Sequence, residues 1–365
     1  MDRAFWRGRR VFVTGHTGFK GGWLSLWLQQ LGAHVTGFAL APPTNPSLFE
    51  VARVGTGMED VRGDLRDLEA LSGAMRAAEP EIVFHLAAQS LVRESYVSPV
   101  ETYSTNVLGT VHVLEAVRRT PSVRACVVLT SDKCYENREW VWAYREGEPL
   151  GGKDPYSSSK ACAELVTAAY RDSFFVKVSG TASDAKVASA LAGNVIGGGD
   201  WATDRLIPDL VRALSRDAVP ELRYPDALRP WQHVLDATQG YLLIAERLTM
   251  GGAGFDEAWN FGPYEQDVRP VRWIADYLLR AWSGKAGTWA IQNATNLHEA
   301  TYLKLDSAKA RARLGWQPVM RLEEALDSIV AWHRAHGANQ DMRATTLTQL
   351  EDYSARLAAS GQLGG

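Results

Sequence analysis

Cysteine is scarce in this chain, long hydrophobic runs are missing and neither charge is in excess, and each shortage removes a class of function. The three cysteines, Cys126, Cys134 and Cys162, are odd in number and lack metal-ligand spacing, so reduced thiols in a cytoplasmic protein are expected, with no metal site. No apolar stretch reaches the roughly 18 residues of a spanning helix. The opening MDRAFWRGRR is charged and has no apolar segment of the signal-peptide kind. With 39 basic and 42 acidic residues, a net charge of -3 and no Lys/Arg-rich run, neither a nucleic-acid nor a membrane partner is expected. Internal repeats and low-complexity segments are also lacking.

What is present is a rhythm of strand-like and helix-like segments. RRVFVT is followed by GWLSLWLQQLG, in which Leu24, Trp27, Leu28 and Leu31 share a helical face and Gly32 ends the helix. AHVTGFAL reads as a second strand, closed by the Pro-rich APPTNPS. VRGDLRD, the helix LEALSGAMRAAE, EIVFHLAAQ, the long helix VETYSTNVLGTVHVLEAVRR, RACVVLTS and the helix YSSSKACAELVTAAYRDSF continue the alternation. IVFHLA and ACVVLT are apolar throughout instead of alternating, as strands covered on both faces are. The pattern predicts an α/β chain with a Rossmann-like, doubly wound parallel sheet.

After KVASALAGNVIGGGD the rhythm breaks into short helices and turns rich in Pro and Asp, while AWNFGP reads as a strand that returns to the main sheet. The predicted organisation is a dinucleotide-binding domain of residues 1–194 with about 233–262, and a smaller, sequence-discontinuous α/β lobe of about 195–232 with 263–335. Residues 336–365 form a polar C-terminal helical tail.

Gly15, Gly18 and Gly21 lie between the first strand and its helix. Glycine permits positive φ and close backbone approach to a pyrophosphate, whose charge then meets free amides at the helix N-terminus. His16 and Lys20 add positive charge there, or are solvated loop residues. A carboxylate for the adenosine ribose hydroxyls is missing from GFALAPPT, and so is an arginine for a 2′-phosphate; NAD is the expected cofactor. Asp64, followed by Leu65, is placed to hold the adenine amino group or merely to shape a turn. Trp27 belongs to the core face of its helix, and Trp23, in the first turn, is expected to pack instead of contacting a ligand.

Tyr156 and Lys160 stand four apart in PYSSSKACAE and so on one helical face. A nearby ammonium favours a phenolate, which lowers the tyrosine towards working pH and makes it a proton acceptor.

Taken together, TGHTGFKGGWL, FHLAAQ, TSDKCYEN, DPYSSSKACAE and GNVIGGGDWATDRLIPD resemble the sugar-nucleotide-modifying extended short-chain dehydrogenases/reductases. Within the NAD-dependent epimerase/dehydratase family the resemblance is to the CDP-glucose 4,6-dehydratases, over roughly Phe5 to Trp316. It implies a hydro-lyase that converts CDP-glucose to CDP-4-keto-6-deoxyglucose with internally recycled NAD, for deoxysugar synthesis.

The resemblance also implies roles. Tyr156 takes the C4 hydroxyl proton, Ser131 hydrogen-bonds the same oxygen and Lys160 supports Tyr156 and the nicotinamide ribose. Relatives that act on dTDP-glucose carry Asp-Glu after that serine position; here the pair is Asp132 and Lys133. Asp132 keeps the acid role, and Lys133 is either a partly neutral base at C5 or a charge that stabilises the developing enolate. The cofactor is implied to touch Gly15, Thr17, Gly18, Phe19, Lys20, Asp64, Leu65, Leu86, Ala87 and Ala88, with Tyr156 and Lys160. Gln89 and Ser90 line the sugar site, while Asn194, Arg205 and Arg229 meet the substrate, the asparagine and Arg229 at its diphosphate. Asn106 and Thr130 stand behind the catalytic groups, His85 is a satisfied histidine near the cofactor, and cytosine is read somewhere between Leu206 and Tyr224. The two long helices pair across a two-fold axis, giving a homodimer or a larger assembly. A 4-epimerase of the same fold would keep Tyr156 and Lys160 without needing Asp132 or Lys133, and a non-catalytic cofactor-binding protein would need none of the four.

Overall fold

The structure, a computed structural model, describes residues 2–175, 184–251, 254–285, 287–292 and 302–362. Of the predicted lobe and tail, residues 286, 293–301 and 363–365 lie outside the described residues. In chain order the elements that position the site begin with β1 (Arg10–Thr14), α1 (Phe19–Gln30), β2 (His34–Ala39), β3 (Glu59–Arg62), α2 (Leu68–Ala78) and β4 (Ile82–His85). They continue with α3 (Val92–Val97), α4 (Pro99–Tyr103), a π-helical turn (Ser104–Leu108), α5 (Gly109–Arg118), β5 (Ala125–Leu129), α6 (Pro155–Phe174) and β6 (Lys186–Ala192). The second half comprises α7 (Leu206–Leu214), β7 (Leu228–Pro230), α8 (Val234–Thr249), β8 (Ala258–Phe261), β9 (Val268–Pro270), α9 (Val271–Ser283), α10 (Leu322–Gly337) and α11 (Met342–Ala359).

Seven strands form one parallel sheet in the order β8-β6-β5-β4-β1-β2-β3. Strand order reverses between β1 and β4, where Val13 faces Gly37 on one side and Phe84 on the other. At such a switch point the connections leave in opposite directions and open a crevice at the carboxyl ends of the strands. Every residue of β4 and β5 is buried, which explains their unbroken apolar sequence.

One apolar cluster covers one face of the sheet with α1, α8 and α11, and another covers the opposite face with α2 and α5. Helix α1 is buried from Gly21 to Leu28, around its whole circumference and not along one stripe. The C-terminal helix α11 adds to this cover: its Tyr353 meets Trp27 edge to face at 5.4 Å, and Met342, Leu350 and Leu357 extend the same core. The C-terminal tail thus packs into the core on one face of the main sheet. A third cluster joins Ile207 and Leu210 of α7, Ile274 and Leu278 of α9, and Leu326 and Ile329 of α10 beside the β7-β9 ribbon.

The long helix predicted from Val100 onward is interrupted. α4 and α5 run into each other through the π-helical turn, whose extra residue carries Asn106 inward.

Candidate active site

The glycine loop follows β1 directly. Gly15 has φ +77°, and a Cβ there would stand 2.6 Å from the Ala87 nitrogen, so no other residue lets the loop after β4 come this close. A Cβ on Gly21 would collide with the Gly15 carbonyl oxygen. Gly18 is the N-cap of α1 and offers no side chain to the first-turn amides, which leaves them for an anion. The cradle thus fits a dinucleotide pyrophosphate. Thr17 Oγ1 donates to the Leu40 carbonyl at 3.0 Å, and Phe19 packs against Gly197. Leu86, Ala87 and Ala88 follow β4 along the same crevice, with Leu86 N bonded to Thr14 O at 3.1 Å.

Of the two cations expected beside the phosphates, His16 adds no charge and Lys20 also reaches the neighbouring cavity. His16 is fully buried, its Nε2 lies 2.8 Å from Asp60 Oδ1, and its ring fills the space that glycine leaves at Gly37. Burial holds the imidazole below its ordinary value in spite of Asp60, so it is neutral at pH 7 and adds no charge. Lys20 is the one cradle-loop residue, among the described residues, that lines the neighbouring cavity. Its ammonium is brought down to about 8 by burial, Arg205 and Lys160, against Asp132 and Asp200.

At the end of β2, where no arginine was expected, β3 supplies one. Arg62 donates to the Leu40 carbonyl at 3.0 Å and pairs with Asp60 at 2.6 Å. Asp64 accepts from the Arg66 backbone at 2.8 Å and pairs with its guanidinium, which holds the carboxyl below its usual range. Leu65 packs under Gly109, and its carbonyl meets His112 Nδ1 at 2.7 Å.

The start of α6 fixes the tyrosine and the lysine. Asp154 is the N-cap, accepting from Ser157 N at 2.9 Å and Ser157 Oγ at 2.5 Å, and Pro155 takes the first helical position, where its missing N–H costs nothing. Tyr156 therefore sits in the first turn and Lys160 one turn on, both buried. The Lys160 ammonium reaches the Leu129 carbonyl at 3.4 Å. Contrary to the lowering expected for the phenol, burial pushes Tyr156 up to about 12, with Ser131 and Arg205 opposing. Burial acts on the other partner as well, bringing Lys160 down to about 8 against Glu164. Desolvation penalises both charged forms, so the polypeptide by itself holds the pair as phenol and marginal ammonium.

β5 delivers the rest. Its last residue, Leu129, is followed by Thr130, Ser131 and a short turn, Asp132–Cys134. Ser131 Oγ accepts from Lys133 N at 3.3 Å and donates to Asp132 Oδ1 at 3.0 Å. Asp132 is 2% exposed, and its Oδ2 has no hydrogen-bond partner among the described residues. Burial raises its carboxyl above the ordinary value, although Lys133, Ser131, Arg229 and Lys20 all favour the charged form. Lys133 stands beside it on the cavity wall.

The cavity, of about 570 Å³, runs from Tyr156, Ser131, Asp132 and Lys133 past Asn194, Arg205 and Arg229 to Leu206–Asp209, Glu221–Tyr224 and Gln292. Arg205 bridges Asp200 at 3.2 Å and Ser90 at 2.9 Å. Arg229, on β7, is buried, with one guanidinium N–H on the Leu228 carbonyl at 2.9 Å. Gln89 does not line the cavity, against expectation. Asn106 takes both its backbone N–H and its C=O at 2.9 Å, and its side-chain amide turns back to Leu91 O and Thr102 Oγ1, both at 3.0 Å. Asn106 also donates to Ser159 Oγ at 2.9 Å, so the π-helical turn braces the loop after β4 against α6. His85 is satisfied by Thr14 at 2.8 Å and Thr110 at 3.2 Å, and burial brings it down to about 3.

Sequence reasoning missed Asp200, Asp60, Arg62 and Glu164. Asp200 and Glu164 carried a signal: the first closes a glycine run, and the second lies four residues beyond Lys160 on its face. Trp23 packs as expected and also makes one contact, its indole N–H on the Gly198 carbonyl at 2.9 Å.

Comparison with known proteins agrees with this geometry. Residues 11–262 match the NAD dependent epimerase/dehydratase family. A CDP-glucose 4,6-dehydratase of Salmonella typhimurium is 53% identical over 353 residues, covering 97% of this chain and 98% of that protein. Among solved structures, a UDP-glucose 4-epimerase of Thermus thermophilus in complex with NAD is 25% identical with a TM-score of 0.76, over 89% of this chain and 99% of that one. The dTDP-glucose 4,6-dehydratase of Bacillus anthracis in complex with NAD shares the fold at a TM-score of 0.76 and 21% identity, over 92% and 100%. The chain belongs to the NAD dependent epimerase/dehydratase family.

Proposed function

We propose that this chain is an NAD-dependent CDP-glucose 4,6-dehydratase, a hydro-lyase that makes CDP-4-keto-6-deoxyglucose. The observation that carries the reading is Asp132: a buried carboxyl beside Ser131 and Tyr156 on the cavity wall, with one oxygen unpartnered. An epimerase has no use for a proton donor there. The 53% identity to the Salmonella enzyme supports the same choice.

Bound in the cradle, NAD supplies a hydride acceptor at C4 of the sugar and later a hydride donor at C6. Tyr156 takes the C4 hydroxyl proton, with Ser131 on the same oxygen and Lys160 stabilising the phenolate. The C4 ketone acidifies the C5 proton, which Lys133 on the cavity wall takes as a neutral amine and returns to C5 when hydride reaches C6. Asp132, whose carboxyl burial raises above its ordinary value, gives a proton to the C6 hydroxyl, which leaves as water. Asn194 and Arg229 hold the diphosphate, and Arg205 with Ser90 holds the sugar side. Leu206–Asp209 and Glu221–Tyr224 form the far end of the cavity, where the base lies.

Separate apolar clusters support the division into a dinucleotide domain and a smaller substrate lobe. Exposed apolar side chains on α3, α4 and α6, Val97, Val100 and Leu165 among them, support pairing of two copies through these helices. Sedimentation velocity then gives a species of at least twice the chain mass; a monomer at micromolar concentration excludes the pairing. No helix among the described residues is long and apolar enough to cross a membrane; the three free cysteines support a cytoplasmic location.

The test is mass spectrometry of products after incubation with NAD and CDP-glucose, UDP-glucose or dTDP-glucose. Loss of one water from the CDP sugar is expected. An unchanged mass with a new isomer on chromatography makes the chain an epimerase.

A further inference from the structure

Glu164 is a buried carboxylate that none of the steps above uses. It is 6% exposed and lies on α6 one turn beyond Lys160. Each oxygen is held by a hydroxyl, Oε1 by Thr130 Oγ1 and Oε2 by Ser189 Oγ at 2.6 Å, and no ion pair reaches it among the described residues. Thr130 directly precedes Ser131, and Leu129, before it, offers its carbonyl to Lys160. One carboxylate thus ties together β6, the end of β5 and the helix that carries the tyrosine and the lysine.

Two hydroxyls are a poor return for burying a full charge. A neutral side chain of the same shape would accept from one of these hydroxyls and donate to the other at less cost. Burial raises the Glu164 carboxyl above its ordinary value, while Ser189, Thr130, Arg171 and Lys160 favour its charged form, and the Lys160 ammonium one turn away is the group placed to feel that charge.

We propose that Glu164 is a positioning residue for the Tyr156–Lys160 pair: its charge keeps the remaining proton on Lys160, and its bond to Thr130 fixes the strand end that carries Ser131. This rests on the reading of Tyr156 and Lys160 as the proton-transfer pair. A Tyr–Lys pair that has lost one proton exists as phenolate with ammonium or as phenol with amine, and only the first can take a proton from substrate. Glu164 stabilises the ammonium more than it opposes the phenolate, because it is one turn from Lys160 and two from Tyr156. The direction agrees with its effect on Lys160, where it works against burial. The other titratable groups acting on Glu164, Lys160 or Tyr156 are Arg171 on α6 and Asp154 at its N-cap, Asp132, Cys134 and Tyr135 after β5, His85 on β4, Arg205 before α7 and Lys20 on the cradle.

The test is the pH dependence of kcat for water loss from CDP-glucose in wild type, Glu164→Gln, Glu164→Asp and Ser189→Ala. Glu164→Gln removes a negative charge, so the pair gives up its first proton more readily and the acid limb moves down by about one pH unit. Its plateau also falls, by about tenfold, because the remaining proton moves to Tyr156. Glu164→Asp keeps the charge, and its acid limb stays where the wild-type limb is. Ser189→Ala withdraws one hydroxyl, leaves Glu164 less ionised and moves the limb the same way by a smaller amount; it decides the matter if Glu164→Gln does not fold. An acid limb that stays put in Glu164→Gln, or in Ser189→Ala where that variant stands in, overturns the proposal even when the plateau falls, since a merely structural role lowers the rate without moving the limb. A wild-type enzyme that removes no water overturns the dehydratase reading instead.

Discussion

Ser131 Oγ donates to one oxygen of Asp132 at 3.0 Å, and the other oxygen of that carboxyl is buried without a partner among the described residues. The bond aims the carboxyl, and burial raises its proton affinity, which suits a proton donor in a cavity whose substrate must lose a hydroxyl. Asp132→Asn keeps the shape and removes the acid. Water loss then falls by about two to four orders of magnitude. The C4 oxidation needs no acid, so reduced cofactor still forms in a single turnover, read by its absorbance. Water loss within tenfold of wild type would remove Asp132 from the elimination.

Lys20 belongs to the cradle by sequence and to the substrate cavity by position. Of its coulombic neighbours, Asp132, Asp200 and Arg205 belong to the substrate side and Lys160 to the tyrosine pair. Lys20→Met keeps the apolar stem and deletes the charge. Loss of a charged hydrogen bond to bound sugar nucleotide raises its KM by about tenfold or more. NAD affinity, measured by titration without substrate, stays within about twofold of wild type, as expected when a group touches neither pyrophosphate nor ribose. The opposite pattern, weaker NAD with an unmoved KM, would return Lys20 to the cofactor.

Trp23 ties the first turn of the cofactor helix to Gly198, two residues before the Asp200 that holds Arg205. Trp23→Phe preserves most of the buried ring and leaves the Gly198 carbonyl without its donor, at a cost of about 1 kcal/mol. The loop loosens where Arg205 is anchored, and the KM for sugar nucleotide rises several-fold with kcat little changed. Steady-state kinetics decide it: an unaltered KM makes the bond a matter of packing alone.

Asp236 links the tail to the core, accepting from Tyr353 OH and from Val319 N, both at 2.8 Å, while fully buried. Burial raises its carboxyl to about 7, well above the ordinary value that it regains on unfolding. A raised carboxyl contributes fully below its unfolded value, and that contribution is lost as pH rises through about 7, because the unfolded chain has already released the proton. Asp236→Asn cannot titrate. Its Tm relative to wild type therefore rises between pH 5 and pH 8, and the buried histidines, common to both proteins, cancel from the difference. A constant difference across that range contradicts an Asp236 that is protonated in the folded state.

Much of this was legible in the sequence, for physical reasons. Continuous apolar runs become strands covered on both faces, the Asp154–Pro155 pair starts α6 where the Tyr156 and Lys160 spacing needs it, and Ser131 to Lys133 arrive together because β5 ends there. What escaped depends on contacts between segments far apart. Apolar periodicity gave α1 a core face that includes Trp27, and only the docked C-terminal helix shows that this face meets Tyr353. Nothing in the local sequence announces the π-helical turn that brings Asn106 to Gln89 and turns that glutamine away from the cavity. His16 reads as a cation until burial and its place over Gly37 make it neutral.

The most direct measurement follows one hydrogen. CDP-glucose deuterated at C4 is incubated with the enzyme and NAD, and the product is weighed and its label located by NMR. If the atom removed at C4 returns to C6 within one active site, the product lacks one water, keeps the deuterium and carries it at C6. A product that has lost water and the label together would contradict the return, and one that keeps both its water and a deuterium at C4 would contradict dehydration itself.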